Sequence, residues 1–348
     1  MNILFIPAPD HYRDFIGKSY YDLITYYKNN SKNKIKIFWG DHRRLNLIKE
    51  FNKGYRPDLI VFFDTDILRF AKNFNKLFKY NIPIACACMD LFWTSKCFNC
   101  KYINKCNSII HFSQASKLMS TYIERFPNKK HLYFKSRFIN VNRFKDWNQE
   151  KKYDILLYGT YDVNKKRFVE NHKADQDYIK LCNNKGIKIG KKHSFYPLRR
   201  RLKLLLSKNK CKSKFKIKIL KPKCIDIPNI ANENLSKLIN QSYITMATSS
   251  RADIFMHKYL EISASYSAIL GNIPSDYNDL LKNNIIEVNE FMSDDEIIDK
   301  ISYYLENKEI LFDMTKRLGD RVHNEHNFNE AIKNMDIIYT NCLPYKHN

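Results

Sequence analysis

Glycine and proline are scarce, at 8 and 10 of 348 residues, which excludes a collagen-like or low-complexity chain. No apolar run reaches the roughly 18 residues of a membrane-crossing helix. Met1-Asn2 leads into Ile3-Leu4-Phe5-Ile6 and then Pro7-Ala8-Pro9-Asp10, too short an apolar stretch for a secretory leader. A cytoplasmic, reducing location is the expectation, and the 9 cysteines, an odd number, are not expected to form disulfides there. Acid is also in short supply: 36 Asp and Glu against 60 Lys and Arg leave a formal charge of +24. The imbalance is local, since residues 178–225 hold 17 Lys and Arg and no Asp or Glu. Such a segment favours anionic partners: nucleic acid, a phosphorylated substrate, or an acidic membrane face to which the protein attaches peripherally.

Apolar residues make up 44% of the chain, enough for two cores, and the length suits two α/β domains. Strand signals fall at Ile3–Ile6, Ile35–Trp39, Leu59–Phe63, Pro83–Cys88, Ser108–Phe112 and Leu132–Phe134, with helical segments at 17–28, 43–53, 65–79 and 115–125 between them. The unbroken apolar run Leu59-Ile60-Val61-Phe62-Phe63 suits a strand buried on both faces. Polar residues 141–152 interrupt this rhythm and read as a hinge. The pattern restarts with Tyr153–Gly159 and continues with strands at 215–220, 243–247, 268–271 and 285–288. Helices are expected over 194–207, 232–241, 253–266, 293–306, 308–324 and 328–340.

The reading is α/β: two Rossmann-like domains, 1–140 and 153–327, joined by the hinge. A final helical segment, 328–348, crosses back to the first domain. Parallel sheets bind ligands beyond the carboxyl ends of their strands, so a cleft between the domains is the expected site.

The most informative stretch is 248–276. A strand ends at Ala247, a polar Thr248-Ser249-Ser250-Arg251 loop follows, and a helix is expected from about Asp253. Asp253 and Glu261 are eight residues apart, on one helical face by that reading, and Ser263, Ala264, Ser265, Ser267 and Ala268 follow. A helix start there offers unpaired N–H groups to a phosphate, and Arg251 and Lys258 add charge. Glu261 reads as an acceptor for ribose hydroxyls or as a solvated helix acid. A second element, Tyr158-Gly159-Thr160-Tyr161-Asp162-Val163-Asn164-Lys165-Lys166-Arg167, places basic groups after a strand-ending glycine. A third, Tyr196-Pro197-Leu198-Arg199-Arg200-Arg201, faces phosphates or an anionic acceptor, or is a solvated basic helix.

The 248–276 stretch resembles the donor-binding segment of GT-B-fold glycosyltransferases, notably glycosyltransferase family 4 and the spore-maturation CgeB-like group. In that family two acids lie eight apart before a small-residue stretch and a strand. Asp253 stands where the first is usually Glu, Glu261 matches the second, and Ile254-Phe255-Met256 replaces the usual Gly-rich turn. The resemblance extends, more weakly, over most of 153–330.

It implies a GT-B-like enzyme using a nucleotide diphosphate sugar as donor, needing no metal for catalysis and retaining anomeric configuration. The first acid, Asp253, then lies near the transferred sugar. Gly159, Lys165, Arg167, Arg199, Arg251, Lys258 and Glu261 are the donor-binding set, in which basic groups replace a metal at the leaving phosphate. Acceptor-side loops in such enzymes correspond to Pro9-Asp10-His11-Tyr12-Arg13 and Asp90-Leu91-Phe92-Trp93. His11 or Asp90 is the candidate general base, or each is a polar loop residue capping a helix. The acceptor is a glycan, a protein side chain, a lipid-linked sugar or a small molecule. Two alternatives remain: a DNA-modifying glycosyltransferase, and a non-catalytic binding protein of the same fold.

Cys97-Phe98-Asn99-Cys100 is a C-x2-C pair with Cys106 beyond and Cys88 upstream. These four could share a structural zinc, although a second C-x2-C pair is absent and Cys on a buried strand is also a small hydrophobe.

Overall fold

The computed structural model describes residues 1–7, 18–38, 51, 54–63, 79–88, 103–111, 116–134, 137–159, 180, 184, 196–220, 233–250 and 253–343. The chain divides into two compact units, Met1–Arg137 with Phe328–Asn348, and Phe138–Asn327.

The first unit holds β1 (Asn2–Ile6), α1 (Lys18–Asn30), β2 (Lys34–Ile37), β3 (Leu59–Phe62), β4 (Ile84–Cys88), β5 (Ser108–His111), α2 (Ser116–Arg125) and β6 (Lys130–Tyr133). Its strands are all parallel, in the order β2-β1-β3-β4-β5-β6. Every residue of β3 is buried, as a strand covered on both faces requires. The expected helices at 43–53 and 65–79 lie outside the described residues, apart from Phe51 and Lys79.

The second unit holds β7 (Tyr153–Leu157), α3 (Pro197–Leu206), α4 (Asn209–Lys214), β8 (Ile217–Ile219), α5 (Glu233–Asn240), β9 (Ser242–Met246), α6 (Lys258–Ala264), β10 (Ala268–Gly271), α7 (Asn278–Leu281), β11 (Ile286–Glu287), α8 (Asp294–Glu306) and α9 (Lys308–Glu325). Its parallel order, β8-β7-β9-β10-β11, repeats the arrangement of the first sheet, with the second strand outside the first and the third on its other side. The chain reverses its direction of growth between β7 and β9, and the crevice at such a switch point is where doubly wound sheets take ligands.

The strand period of two divides the second core. Ile155 and Leu157 join Leu198, Leu202 and Leu205 of α3 and Ile297 and Ile301 of α8 on one face. Leu156 joins Ile239 of α5, Tyr259 and Ile262 of α6, and Leu318 and Val322 of α9 on the other. Helix α8 starts at a reciprocal cap, in which Ser293 Oγ accepts from Glu296 N and Glu296 Oε2 accepts from Ser293 N.

Residues 138–152, which include the expected hinge, pack on this second unit. Phe144 is buried, Trp147 Nε1 donates to Ser236 Oγ at 2.9 Å, and Gln149 N donates to Asn240 Oδ1 at 3.0 Å. The last helix, α10 (Phe328–Asn341), lies on the first unit. Tyr27 Oη, Ser31 Oγ and Asn33 Nδ2 all donate to Asp336 Oδ1, at 2.6, 3.0 and 2.8 Å, and Tyr339 meets Phe5 edge-on at 5.3 Å. Burial and the neighbouring carboxylate push the Tyr27 phenol upward.

One expected helix is shorter than its sequence pattern. The segment from Asp253 is irregular, and α6 begins only at Lys258. Asp253 has φ +59°, a left-handed backbone that a helix cannot propagate through. The helix start therefore lies near 258 rather than 250–255, and Asp253 and Glu261 do not share a helical face.

Candidate functional site

The carboxyl ends of β7 and β9 bring together several groups at the switch point. Strand β7 gives way to Tyr158 and Gly159, the latter at φ +97°. Strand β9 gives way to Ala247-Thr248-Ser249-Ser250, all buried. Gly271 ends β10 against this segment: a Cβ there would come 1.6 Å from the Ala247 carbonyl oxygen. Asn272 then holds the polar loop from the other side, its Oδ1 accepting from Ser249 N at 2.9 Å and its Nδ2 donating to Ser249 Oγ at 2.6 Å. Tyr259 Oη donates to the Asn272 carbonyl at 2.6 Å, tying the loop to α6.

Lys258 and Glu261, one turn apart on α6, both reach Tyr158. Lys258 Nζ donates to the Tyr158 carbonyl at 2.5 Å and lies 4.0 Å from the centroid of the Tyr158 ring. Tyr158 Oη donates to Glu261 Oε2 at 2.9 Å. The ammonium occupies space left by the missing side chain of Gly159, where a Cβ would lie 1.9 Å from Nζ. Both residues are half-buried, and their charged ends are poorly hydrated. Burial lowers the Lys258 ammonium well below its ordinary value, the Arg199 charge adds to this, and Glu261 opposes it. Burial raises the Glu261 carboxyl, while the Tyr158 hydrogen bond, Lys258 and Arg143 pull it back. A cation and an anion held short of full solvation beside a backbone turn can each be satisfied further by a ligand that carries anionic oxygens and hydroxyl donors.

Arg199 is only 2% exposed. Its Nε donates to Thr248 Oγ1 at 3.3 Å, its Nη2 donates to the Thr248 carbonyl at 3.1 Å, and its guanidinium lies 3.9 Å from the Tyr196 ring centroid. A buried guanidinium with two bonds to one loop residue fixes that loop and sets a positive potential beside Lys258. Asp253 turns toward the segment after β10: its Oδ2 accepts from Ser275 Oγ at 2.5 Å and from Ser275 N at 3.2 Å.

The structure thus brings Gly159, Arg199, Lys258 and Glu261 to one corner, and places Asp253 on the adjoining loop. His11, Asp90, Lys165, Arg167 and Arg251 lie outside the described residues. Sequence reasoning did not single out Tyr158, Thr248 or Asn272. Tyr158 had a signal, as the aromatic residue between a strand and a glycine. Thr248 and Asn272 are ordinary loop residues until the register of β9 and β10 is known.

The proposed zinc set does not assemble as written. Cys97 and Cys100 lie outside the described residues. Strand register pairs the backbone of Cys88 with His111, at the carboxyl ends of β4 and β5, and Ala85 with Ser108 at the other end. Cys106 precedes Ser108, so about 10 Å of strand separates its level from that of Cys88, too far to share a tetrahedral ion with sulfur ligands about 2.3 Å from the metal. Cys106 is instead a buried apolar residue. Among the described residues no three His, Cys, Asp or Glu converge as a metal set, and no helix is long and apolar enough to cross a membrane.

Residues 199–336 match a family described as glycosyl transferase-like. No curated protein matches the chain by sequence. Sucrose-phosphate synthase from Thermosynechococcus elongatus has a similar structure, with a TM-score of 0.60 at 9% identity, covering 98% of each chain. HepE from Anabaena, in complex with UDP, gives 0.57 at 10% identity, covering 98% of this chain and 100% of its own. An alpha-glucosyltransferase in complex with UDP and a 13-mer DNA gives 0.57 at 12% identity, over 98% and 100%. The shared architecture is the GT-B fold of two Rossmann-like domains. The glycosyl transferase-like region runs from α3 into α10, and all of it before α10 belongs to the second of the two Rossmann-like units.

Proposed function

We propose that the protein transfers a sugar from a nucleotide diphosphate sugar to an acceptor hydroxyl, without a metal and with retention of anomeric configuration. The observation that carries this reading is the Tyr158–Lys258–Glu261 corner at the switch point between β7 and β9. The UDP complex of HepE supports a uridine nucleotide as the donor. In this reading Glu261 accepts hydrogen bonds from the ribose hydroxyls. Lys258 turns its ammonium to the diphosphate, joined by Arg251, Lys165 and Arg167, while Gly159 lets the phosphates approach the backbone. Arg199 holds the Thr248 loop and lends its charge to the same end of the sheet.

The reaction breaks the bond between the anomeric carbon and the phosphate oxygen. The electron pair stays on the departing diphosphate, where the cations offset its growing charge. The acceptor oxygen forms the new bond on the face from which the diphosphate leaves, which retains configuration, and gives up its proton to His11 or Asp90, with Asp253 beside the transferred sugar. The acceptor is a glycan, a protein side chain or a lipid-linked sugar. The reading is tested by incubating the protein with a panel of nucleotide sugars, with and without a chelator, and measuring nucleotide release. Release from one donor that survives the chelator and is lost in Glu261→Ala supports it. Release that depends on added metal, or is equal in both proteins, contradicts it.

A further inference from the structure

Lysine occupies every second position from Lys208 to Lys218. Helix α4 and its flanks are seated by two buried apolar residues, Cys211 and Phe215, which leaves Lys212 and Lys214 exposed. Among the described residues, Asp294 and Asp295 are acids that pair with cations of this surface. Asp294 pairs with Arg201 at 3.1 Å and Lys208 at 2.9 Å, and Asp295 with Lys210 at 3.7 Å. Two carboxylates thus answer three cations, and Lys212 and Lys214 extend the excess beyond them. In the last turn of α3 stands Leu204, 59% exposed. It lies one turn from both Arg200 and Lys208, on a groove of about 430 Å³ that these three residues help to line.

We infer that the α3–α4 face docks on an anionic lipid bilayer, with Leu204 entering the headgroup layer and the surrounding cations meeting lipid phosphates. Charge alone would suit any polyanion, but the exposed leucine selects among them. An apolar side chain ringed by Lys and Arg is the composition of an interfacial helix. A nucleic-acid surface presents aromatic platforms or polar base readers, and the aromatic residue of this stretch, Phe215, is buried. The inference concerns attachment and stands apart from sugar transfer, so it survives or fails without regard to donor binding.

The test is co-sedimentation of the full chain with phosphatidylcholine vesicles containing no anionic lipid or about 30 mol % phosphatidylglycerol, at low and high salt. The wild type is expected to partition at least about tenfold more strongly onto the anionic vesicles and to weaken as salt rises. The pair Lys212→Glu and Lys214→Glu removes most of that gain, and Leu204→Ser lowers partitioning at both salt levels, each melting with the wild type because all three sites are exposed. Equal partitioning onto neutral vesicles, or full binding by the double variant, overturns the inference. So does unchanged binding by Leu204→Ser, or a DNA duplex that binds the wild type more tightly than the anionic vesicles do.

Discussion

The Lys258 ammonium sits where the side chain of residue 159 would be: a Cβ on Gly159 would lie 1.9 Å from Nζ. Glycine at this position is required twice over, because its φ of +97° also disfavours any L side chain. Gly159→Ala is expected to destabilise the protein by about 1–3 kcal/mol and to displace Lys258 from the Tyr158 carbonyl. Thermal melting reads the first effect. Where UDP raises the melting temperature of the wild type, loss of that shift in the variant reads the second.

Arg199 is a buried cation of the second unit. Arg199→Lys keeps the charge but cannot reproduce two bonds to Thr248 together with the stack on Tyr196. It is expected to cost about 2–4 kcal/mol, since polar atoms are left unpaired inside the protein. Urea unfolding of the purified variant measures this, and a cost near zero would show that the loop holds its shape without the guanidinium.

Asp253 allows a structural role to be separated from a chemical one. At φ +59° alanine is strained, whereas asparagine tolerates the left-handed region and still accepts from Ser275. Asp253→Ala is expected to lower stability by about 1–2 kcal/mol, and Asp253→Asn by much less. If Asp253 lies beside the transferred sugar, Asp253→Asn loses transfer while melting almost normally. Full activity in that variant would confine the residue to shaping the loop.

The first unit carries an acid-sensitive element. His111 Nε2 and His131 Nδ1 are 2.9 Å apart, so the two nitrogens cannot both carry a proton, and His131 Nε2 lies 3.0 Å from the Phe126 carbonyl. Burial, with a smaller contribution from His131, lowers His111 from 6.5 to about 3. A depressed histidine protonates in the unfolded chain first. Its contribution to stability is therefore intact above about pH 6.5 and is lost progressively as pH falls toward 3, by roughly 3 kcal/mol at pH 4. Melting curves from pH 7 to 4 should fall accordingly, and more gently for His111→Leu, which removes the titrating group. Identical slopes in the two proteins would contradict the assignment.

Sequence patterning reached the strands and long helices because burial acts there through simple periodicity. The apolar run Leu59–Phe62 and the segment Ala268–Gly271 become strands as expected, and the helix expected over 293–306 is α8, Asp294–Glu306. The pattern failed where backbone conformation overrode it. Ile254 and Phe255 are buried like helix residues, yet they follow a left-handed Asp253 and stay irregular. Helix α4 was invisible because only Cys211 among its six residues is buried, so no apolar stripe exists to be read. At the candidate site, Lys258 and Glu261 are marked in the sequence by the polar loop before them and the spacing from Asp253, and the structure brings both to Tyr158. Their common partner Tyr158 is not so marked, because the contact joins residues 100 and 103 positions apart and depends on β7 lying next to β9.

The central claim is that the corner formed by Tyr158, Lys258 and Glu261 binds a sugar nucleotide. Calorimetric titration of the wild type and Glu261→Ala with UDP and a UDP-sugar tests it most directly. The account predicts saturable binding to the wild type, weakened by about tenfold or more when the carboxylate that takes the ribose hydroxyls is removed, since a hydrogen bond to a charged group contributes about 1.5–3 kcal/mol. Equal affinity in the two proteins, or no binding of UDP, its sugars or any other nucleotide to the wild type, would contradict it.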